Sequence, residues 1–298
     1  MNHDLQTKTA SLGASYTTFR YYLFLIPIAT VLGTVMQTMA MMLSYEGGLG
    51  VYQNGDVMGT IAGWILFFIS LILLAGCFAL PRAFSQAFRA IPDCAGLPAF
   101  LAAMGGCAMI AFSALSFIDT NTGATDSIQL LRLLFSIPAG LYLIFTAMNR
   151  QQGKVLTALG FCPTLWLALS LMRLFFDRSS AINNPMKILL QLSLAAIMLS
   201  FMAETRIRVG KYGARFLVGI SAVATVLGVS SSVSMMIYRL NGGYLLNSEI
   251  MMAVIELILS LYLAARLYSY RTLTLAEKDT IPDTKEKEAE ASNTTAKE

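Results

Sequence analysis

"MGTIAGWILFFISLILLAGCFAL", Met58–Leu80, runs for twenty-three residues without a charged side chain. A helix that crosses the hydrocarbon core of a bilayer needs roughly 17–25 mainly apolar residues. Lipid offers no partner to backbone N–H and C=O groups, so such a segment must satisfy them internally as a helix. This stretch therefore reads as a transmembrane helix, and the rest of the chain repeats its pattern.

Eight segments qualify: Phe19–Tyr45, Met58–Leu80, Cys94–Ile118, Ser127–Met148, Val155–Asp177, Met186–Glu204, Gly213–Tyr238 and Glu249–Tyr270. Composition agrees: of 298 residues 56% are hydrophobic and only 13% charged, and the mean hydropathy is +0.64. Soluble domains carry about 25% charged residues. The fold class expected is an all-α polytopic integral membrane protein, with residues 19–271 forming an eight-helix domain. Short connectors make consecutive helices antiparallel neighbours, in four hairpins.

Orientation follows from the basic residues, which concentrate in connectors on the cytoplasmic side. One set of connectors holds Arg82 and Arg89, then Arg150 and Lys154, then Arg206, Arg208, Lys211 and Arg215. Two of the opposite set, Tyr45–Val57 and Asp119–Asp126, lack Lys and Arg and carry Glu46, Asp56, Asp119 and Asp126. The other two, around Arg178 and Arg239, have one basic residue each. The first set thus faces the cytoplasm, and with eight spans both termini do too, which places the chain in the plasma membrane. Lys8, Arg20 and Arg271 agree.

Residues 1–18 are polar and read as a cytoplasmic segment. The first apolar run is longer than a signal peptide's core, so it is a retained span. The tail, 272–298, is rich in Glu, Lys, Ala and Thr without apolar pattern and is expected to be disordered. Its Asn293-Thr294-Thr295 fits a glycosylation acceptor but falls on the expected cytoplasmic side.

"ATVLG" occurs at Ala29–Gly33 and again at Ala224–Gly228. Each copy is followed by a Met pair, a Tyr and a Gly-Gly loop. A parallel repeat of the first and fourth hairpins is one reading, and the small residue alphabet of membrane helices is the other.

Motifs for bond-making chemistry are missing, so no enzyme, cofactor or metal site is expected. The single histidine is His3, in the polar N-terminus. Cys77, Cys94, Cys107 and Cys162 have no CxxC spacing and read as small buried hydrophobes. The seventeen methionines read as adaptable packing. Gly59 with Gly63, Ala102 with Gly106, and Ala224 with Gly228 and Ser232 have the spacing that lets helices approach closely. Pro27, Pro98, Pro138 and Pro163 are candidate kinks.

Ionisable residues inside spans carry more information, because each costs several kcal/mol unless paired or wetted. Arg132 and Arg173 lie about 7 Å and about 6 Å deep at 1.5 Å per residue. Both can snorkel to the headgroups, and Arg173 has Asp177 one turn away. Glu256 lies about 10 Å into a core whose half-thickness is about 15 Å. That is too deep for a glutamate to snorkel, so it must be protonated, paired or facing water. Glu249 and Ser260 share its helix face. Gln37, Lys187, Gln191 and the serines 230, 231, 232 and 234 fall at similar depth.

These residues define a candidate polar vestibule of Glu256, Arg132, Arg173, Gln37, Gln191 and Lys187, open to the outside. Its formal balance suits a small anionic or zwitterionic solute. The function expected is a transporter or permease-like protein. The alternatives are a sensor or accessory subunit acting through a membrane or cytoplasmic partner, and a structural or assembly protein with no solute site. "TRIRVGKYGAR", Thr205–Arg215, is expected to meet anionic lipid headgroups through Arg206, Arg208, Lys211 and Arg215. No surface suits nucleic acid.

Overall fold

The computed structural model describes residues 2–46, 51–52, 57–80, 94–120, 127–148, 154–176, 184–211, 213–243, 245 and 247–279. Nine helices are present among them: α1 (Asn2–Ser44), α2 (Val57–Ala79), α3 (Leu97–Thr120), α4 (Ser127–Ala147), α5 (Lys154–Leu159), α6 (Phe161–Phe176), α7 (Pro185–Arg208), α8 (Ala214–Leu240) and α9 (Asn247–Asp279). A two-residue antiparallel pairing of β1 (Tyr45–Glu46) with β2 (Val51–Tyr52) follows α1. Taking α5 and α6 as one span, eight helices among the described residues are long and apolar enough to cross a membrane.

Three boundaries depart from the sequence reading. The helix of the first span begins at Asn2, within the segment read as a polar terminus, because a nucleated helix extends at little cost. The last helix continues to Asp279 through Leu, Ala, Glu and Lys, all good helix formers, so the segment read as disordered starts as helix. Residues 280–298 lie outside the described residues. The fifth span is broken at Gly160, four residues after Leu156 and three before Pro163. The Pro163 ring crowds the carbonyl four residues back, at Leu159, and its nitrogen donates no hydrogen bond. The Thr205 hydroxyl of α7 lies 3.2 Å from the Gly160 carbonyl oxygen and 2.9 Å from that of Phe201, and its one proton is shared between them.

Helix α8 is the axis of the bundle. Its span is 83% buried against 22% for that of α2, and it packs on α1, α2, α7 and α9. Helix α9 continues to α3, α3 to α4, α4 to α6, and α6 to α7, which returns to α8. Six helices thus close a ring, and α1 and α2 lie outside it against α8. The outward faces of α1 and α2 carry exposed Phe24, Leu32, Trp64, Phe67, Phe68 and Ile72, the surface expected toward lipid tails.

Small residues set the closest approaches. A Cβ on Gly106 of α3 would stand 2.5 Å from the carbonyl oxygen of Gly140 on α4. A Cβ on Gly228 of α8 would collide with the Ser260 hydroxyl of α9. The two ATVLG copies lie on α1 and α8, which pack on each other, with Thr34 and Ser230 oxygens 3.4 Å apart. The Tyr45 and Tyr238 rings that follow meet edge to face at 5.4 Å.

Of the residues that set the expected orientation, Arg82, Arg89, Arg150, Arg178, Asp56 and Asp126 lie outside the described residues. So does Asp177, the expected partner of Arg173.

Candidate functional site

The site is built on the start of α7. Asn184 caps that helix, its side-chain oxygen accepting from the backbone N–H of Met186 at 2.9 Å and of Lys187 at 3.4 Å, with Pro185 at the first helical position. An Asn-Pro pair suits this role, since Asn satisfies the unpaired donors of the first turn and Pro has none to satisfy. The Tyr45 hydroxyl lies 3.5 Å from the same Asn184 oxygen.

Around this end α4, α6, α7 and α9 enclose a cavity of about 110 Å³. Arg132 from α4, Arg173 from α6, Lys187 from α7 and Glu249 from α9 share its wall with Asn184 and Tyr45. Apolar side chains such as Leu190, Met235 and Met252 form the rest. Among the described residues, three cationic groups thus share the wall with one carboxylate. Arg132 is 5% exposed and its guanidinium lies over the Phe112 ring, 4.7 Å from its centroid. Its Nε is buried with no hydrogen-bond partner among the described residues. A buried donor left unmade is costly, and an acceptor entering the cavity would satisfy it.

The six residues singled out in the sequence do not share one cavity. Arg132, Arg173 and Lys187 do. Gln37 lies in a separate cleft, its amide donating to Tyr52 Oη and to Met186 Sδ, each at 3.2 Å. Gln191 is half-buried on α7 and lines neither. Glu256 is fully buried in a cage of serines. Ser193 of α7 donates to Oε1, and Ser232 and Ser231 of α8 donate to Oε2 at 2.9 Å and 3.4 Å. Depth alone had placed Glu256 beside the arginines, but its side chain turns toward α7 and α8. Glu249, one end of the same helix face, takes its place in the cavity wall.

A second charged cluster went unread in the sequence. Glu204 of α7 accepts from Arg208 at 2.8 Å and from Arg266 of α9 at 3.2 Å, and the Tyr142 hydroxyl of α4 lies 3.4 Å from the same carboxylate oxygen. Arg208, expected at anionic headgroups, instead has a buried side chain lying 5.6 Å over the Tyr142 ring. Arg206 and Lys211 are exposed. The signal available was depth: Glu204 and Arg266 each stand near one end of a span. Glu204 is seventeen residues from Lys187, and Arg266 seventeen from Glu249, so this cluster lies about 26 Å along the bundle from the cavity.

The fold and site define a class: a helical bundle of eight candidate membrane spans with a cationic cavity at one end and a buried ion cluster at the other. The chain matches no family model, no curated protein and no solved structure.

Proposed function

We propose that the chain is a transporter or permease-like protein of the plasma membrane. It takes a small anionic or zwitterionic solute into the Arg132–Arg173–Lys187–Glu249 cavity. The observation that carries this reading is the buried Nε of Arg132, unpartnered among the described residues, in a wall where described cationic groups outnumber described carboxylates three to one. Charge-assisted hydrogen bonds to an anionic oxygen would satisfy it, and such bonds are about twice as strong as neutral ones.

The spans form four antiparallel hairpins with both termini cytoplasmic. The asymmetry of Lys and Arg among the connectors supports this, as does the packing of α1 on α2, α3 on α4, α6 on α7 and α8 on α9. The cavity then opens to the outside. The Glu204 cluster ties α4, α7 and α9 near the cytoplasmic face and closes the route there. The role is binding and passage, with no bond made or broken in the solute.

The test is anion binding and flux. Purified protein in proteoliposomes is screened with inorganic phosphate, sulfate, acetate and glutamate. One of these should enter in a protein-dependent way, and Arg132→Gln should lower its flux about tenfold or more, the loss of one charge-assisted contact. Wild-type flux in a well-folded Arg132→Gln protein removes the cavity from the path.

A further inference from the structure

The cationic cavity does not stand alone. On the other side of the α7 N-terminus lies a cleft of about 450 Å³ between α1, α2, α7 and α8. Its walls are apolar and include small residues: Gly59 and Gly63 of α2, and Ala195 and Ala196 of α7. A Cβ on Gly63 would meet nothing within 4 Å. Ile188, Leu192 and Phe67 on its rim are 44%, 54% and 55% exposed, so the cleft opens sideways, toward the bilayer. Along α7 it runs from Pro185 to Leu199, roughly 21 Å at 1.5 Å per residue. That exceeds the half-thickness of a hydrocarbon core, about 15 Å. An apolar space of this size does not hold water. In a membrane its occupant is hydrocarbon.

The cleft and the cavity share a thin boundary. Pro185 lines one and the next residue, Met186, lines the other. Between the end of α1 and the start of α7 stand the Gln37 amide against the Met186 thioether, and the Tyr45 hydroxyl 3.5 Å from Asn184. A thioether is a poor acceptor and 3.5 Å is the outer limit of a hydrogen bond, so neither link is strong. The Gln37 and Tyr52 side chains that line the cleft lie at this boundary.

We propose that, beside a small solute anion, the cationic cavity takes the headgroup of an anionic phospholipid of the bilayer. Its phosphodiester lies among Arg132, Arg173 and Lys187, and one acyl chain lies in the α1–α2–α7 cleft. This adds a lipid ligand to the cavity and rests on its reading as an anion site. A soluble anion would use the cavity and leave the cleft without a role. The lipid uses both, and reaches the guanidinium groups from the membrane side by parting the Gln37–Met186 and Tyr45–Asn184 contacts. Basic groups placed at the membrane interface recognise anionic headgroups in the same way.

The test compares palmitoyl-oleoyl phosphatidylglycerol, palmitoyl-oleoyl phosphatidylcholine and glycerol 3-phosphate on the full chain in detergent, read by native mass spectrometry. Wild-type protein should hold phosphatidylglycerol about tenfold or more tighter than either of the other two. Gly63→Phe, and independently Ala195→Phe from the opposite wall, should remove that advantage while leaving glycerol 3-phosphate binding as it was. Arg132→Gln should weaken both anions. Equal binding of phosphatidylglycerol and glycerol 3-phosphate by wild-type protein overturns the lipid assignment and leaves the anion site standing. Equal binding of phosphatidylglycerol and phosphatidylcholine shows a lipid that ignores the cavity, and overturns it too. Unchanged phosphatidylglycerol binding in either folded cleft variant does the same. If Arg132→Gln alters neither anion, the anion-site reading itself fails.

Discussion

Ser232 of α8 donates a 2.9 Å hydrogen bond to Glu256 of α9 at a level of the bundle where, among the described residues, no cationic side chain pairs with that carboxyl group. Ser193 and Ser231 complete the cage from two helices. A fully buried carboxyl group is tolerated here because hydroxyls replace water at both of its oxygens. The cage also places one polar step between the cavity at Lys187 and the ion cluster at Glu204. Ser193 lies about 9 Å along α7 from Lys187.

Glu256→Gln keeps the shape of the side chain and an acceptor for Ser232. It is expected to express and melt like wild type while losing solute flux in proteoliposomes. Glu256→Ala strands the Ser231 and Ser232 hydroxyls, while Ser193 keeps the Leu190 carbonyl, and opens a void; it is expected to cost on the order of 3 kcal/mol. A melting series in detergent separates the two. Full flux from a normally expressed Glu256→Gln protein would show that the serine cage is structural only.

Glu204 pairs with both Arg208 and Arg266, and all three side chains are nearly buried. Removing one member of a buried pair leaves an uncompensated charge and costs about 3–5 kcal/mol. Glu204→Gln should therefore lower the melting temperature sharply. Arg266→Gln should lower it less, because Arg208 remains. The Glu204→Gln/Arg266→Gln double variant should recover part of the loss, a coupling that a double-mutant cycle reads directly. Strictly additive losses would show that the two residues act independently.

How much of this was legible in the sequence depended on which physics was involved. The spans were legible because hydrocarbon imposes length and apolarity on each segment separately, as at Met58–Leu80. The break at Gly160 was half legible: Pro163 marked it, but only the Thr205 hydroxyl opposite shows how the break is stabilised. Depth along a helix was legible for Arg132 and Glu256. Rotation about the helix axis was not, and rotation turns Arg132 into the cavity and Glu256 into the serine cage. Arg208 was misread for a related reason. A basic residue after a span is drawn to lipid headgroups by default, and nothing local announces that Glu204, one turn back, is also reached by Arg266 from another helix.

Tyr45 stands at the seam between the end of α1 and Asn184. Burial, the largest influence, pushes its phenol above the ordinary value of 10, with Glu249 and Tyr238 adding to the rise and the Asn184 hydrogen bond opposing it. The group therefore stays a donor at neutral pH. Because its ionisation is harder in the folded than in the unfolded chain, the contribution is intact below about pH 10 and is lost as pH rises beyond it. Tyr45→Phe is expected to cost about 0.5 kcal/mol or less at neutral pH, because the Asn184 contact is long. It should also flatten the fall in melting temperature between pH 9 and 11, measured against wild type. An unchanged alkaline profile would assign that fall to other groups.

Gly106 and Gly140 let α3 and α4 touch backbone to backbone, and the contact has little room to adjust. A methyl group on Gly106 would meet the Gly140 carbonyl oxygen at 2.5 Å, and one on Gly140 would meet the Gly106 carbonyl oxygen at 2.6 Å. Both obstacles are backbone, so the helices must separate to admit either substitution. Helix association within a bilayer rests on close packing, and overpacking of this kind costs about 1–3 kcal/mol. Gly106→Ala and Gly140→Ala should each lower the melting temperature in detergent, and the double substitution by less than the sum, because the first already parts the helices. Gly63→Ala is the matched control: its Cβ meets nothing within 4 Å, and alanine is the better helix former. It should melt at or slightly above the wild-type temperature. Equal losses at Gly63 and Gly106 would mean that helix propensity or expression, and not the α3–α4 contact, governs these positions.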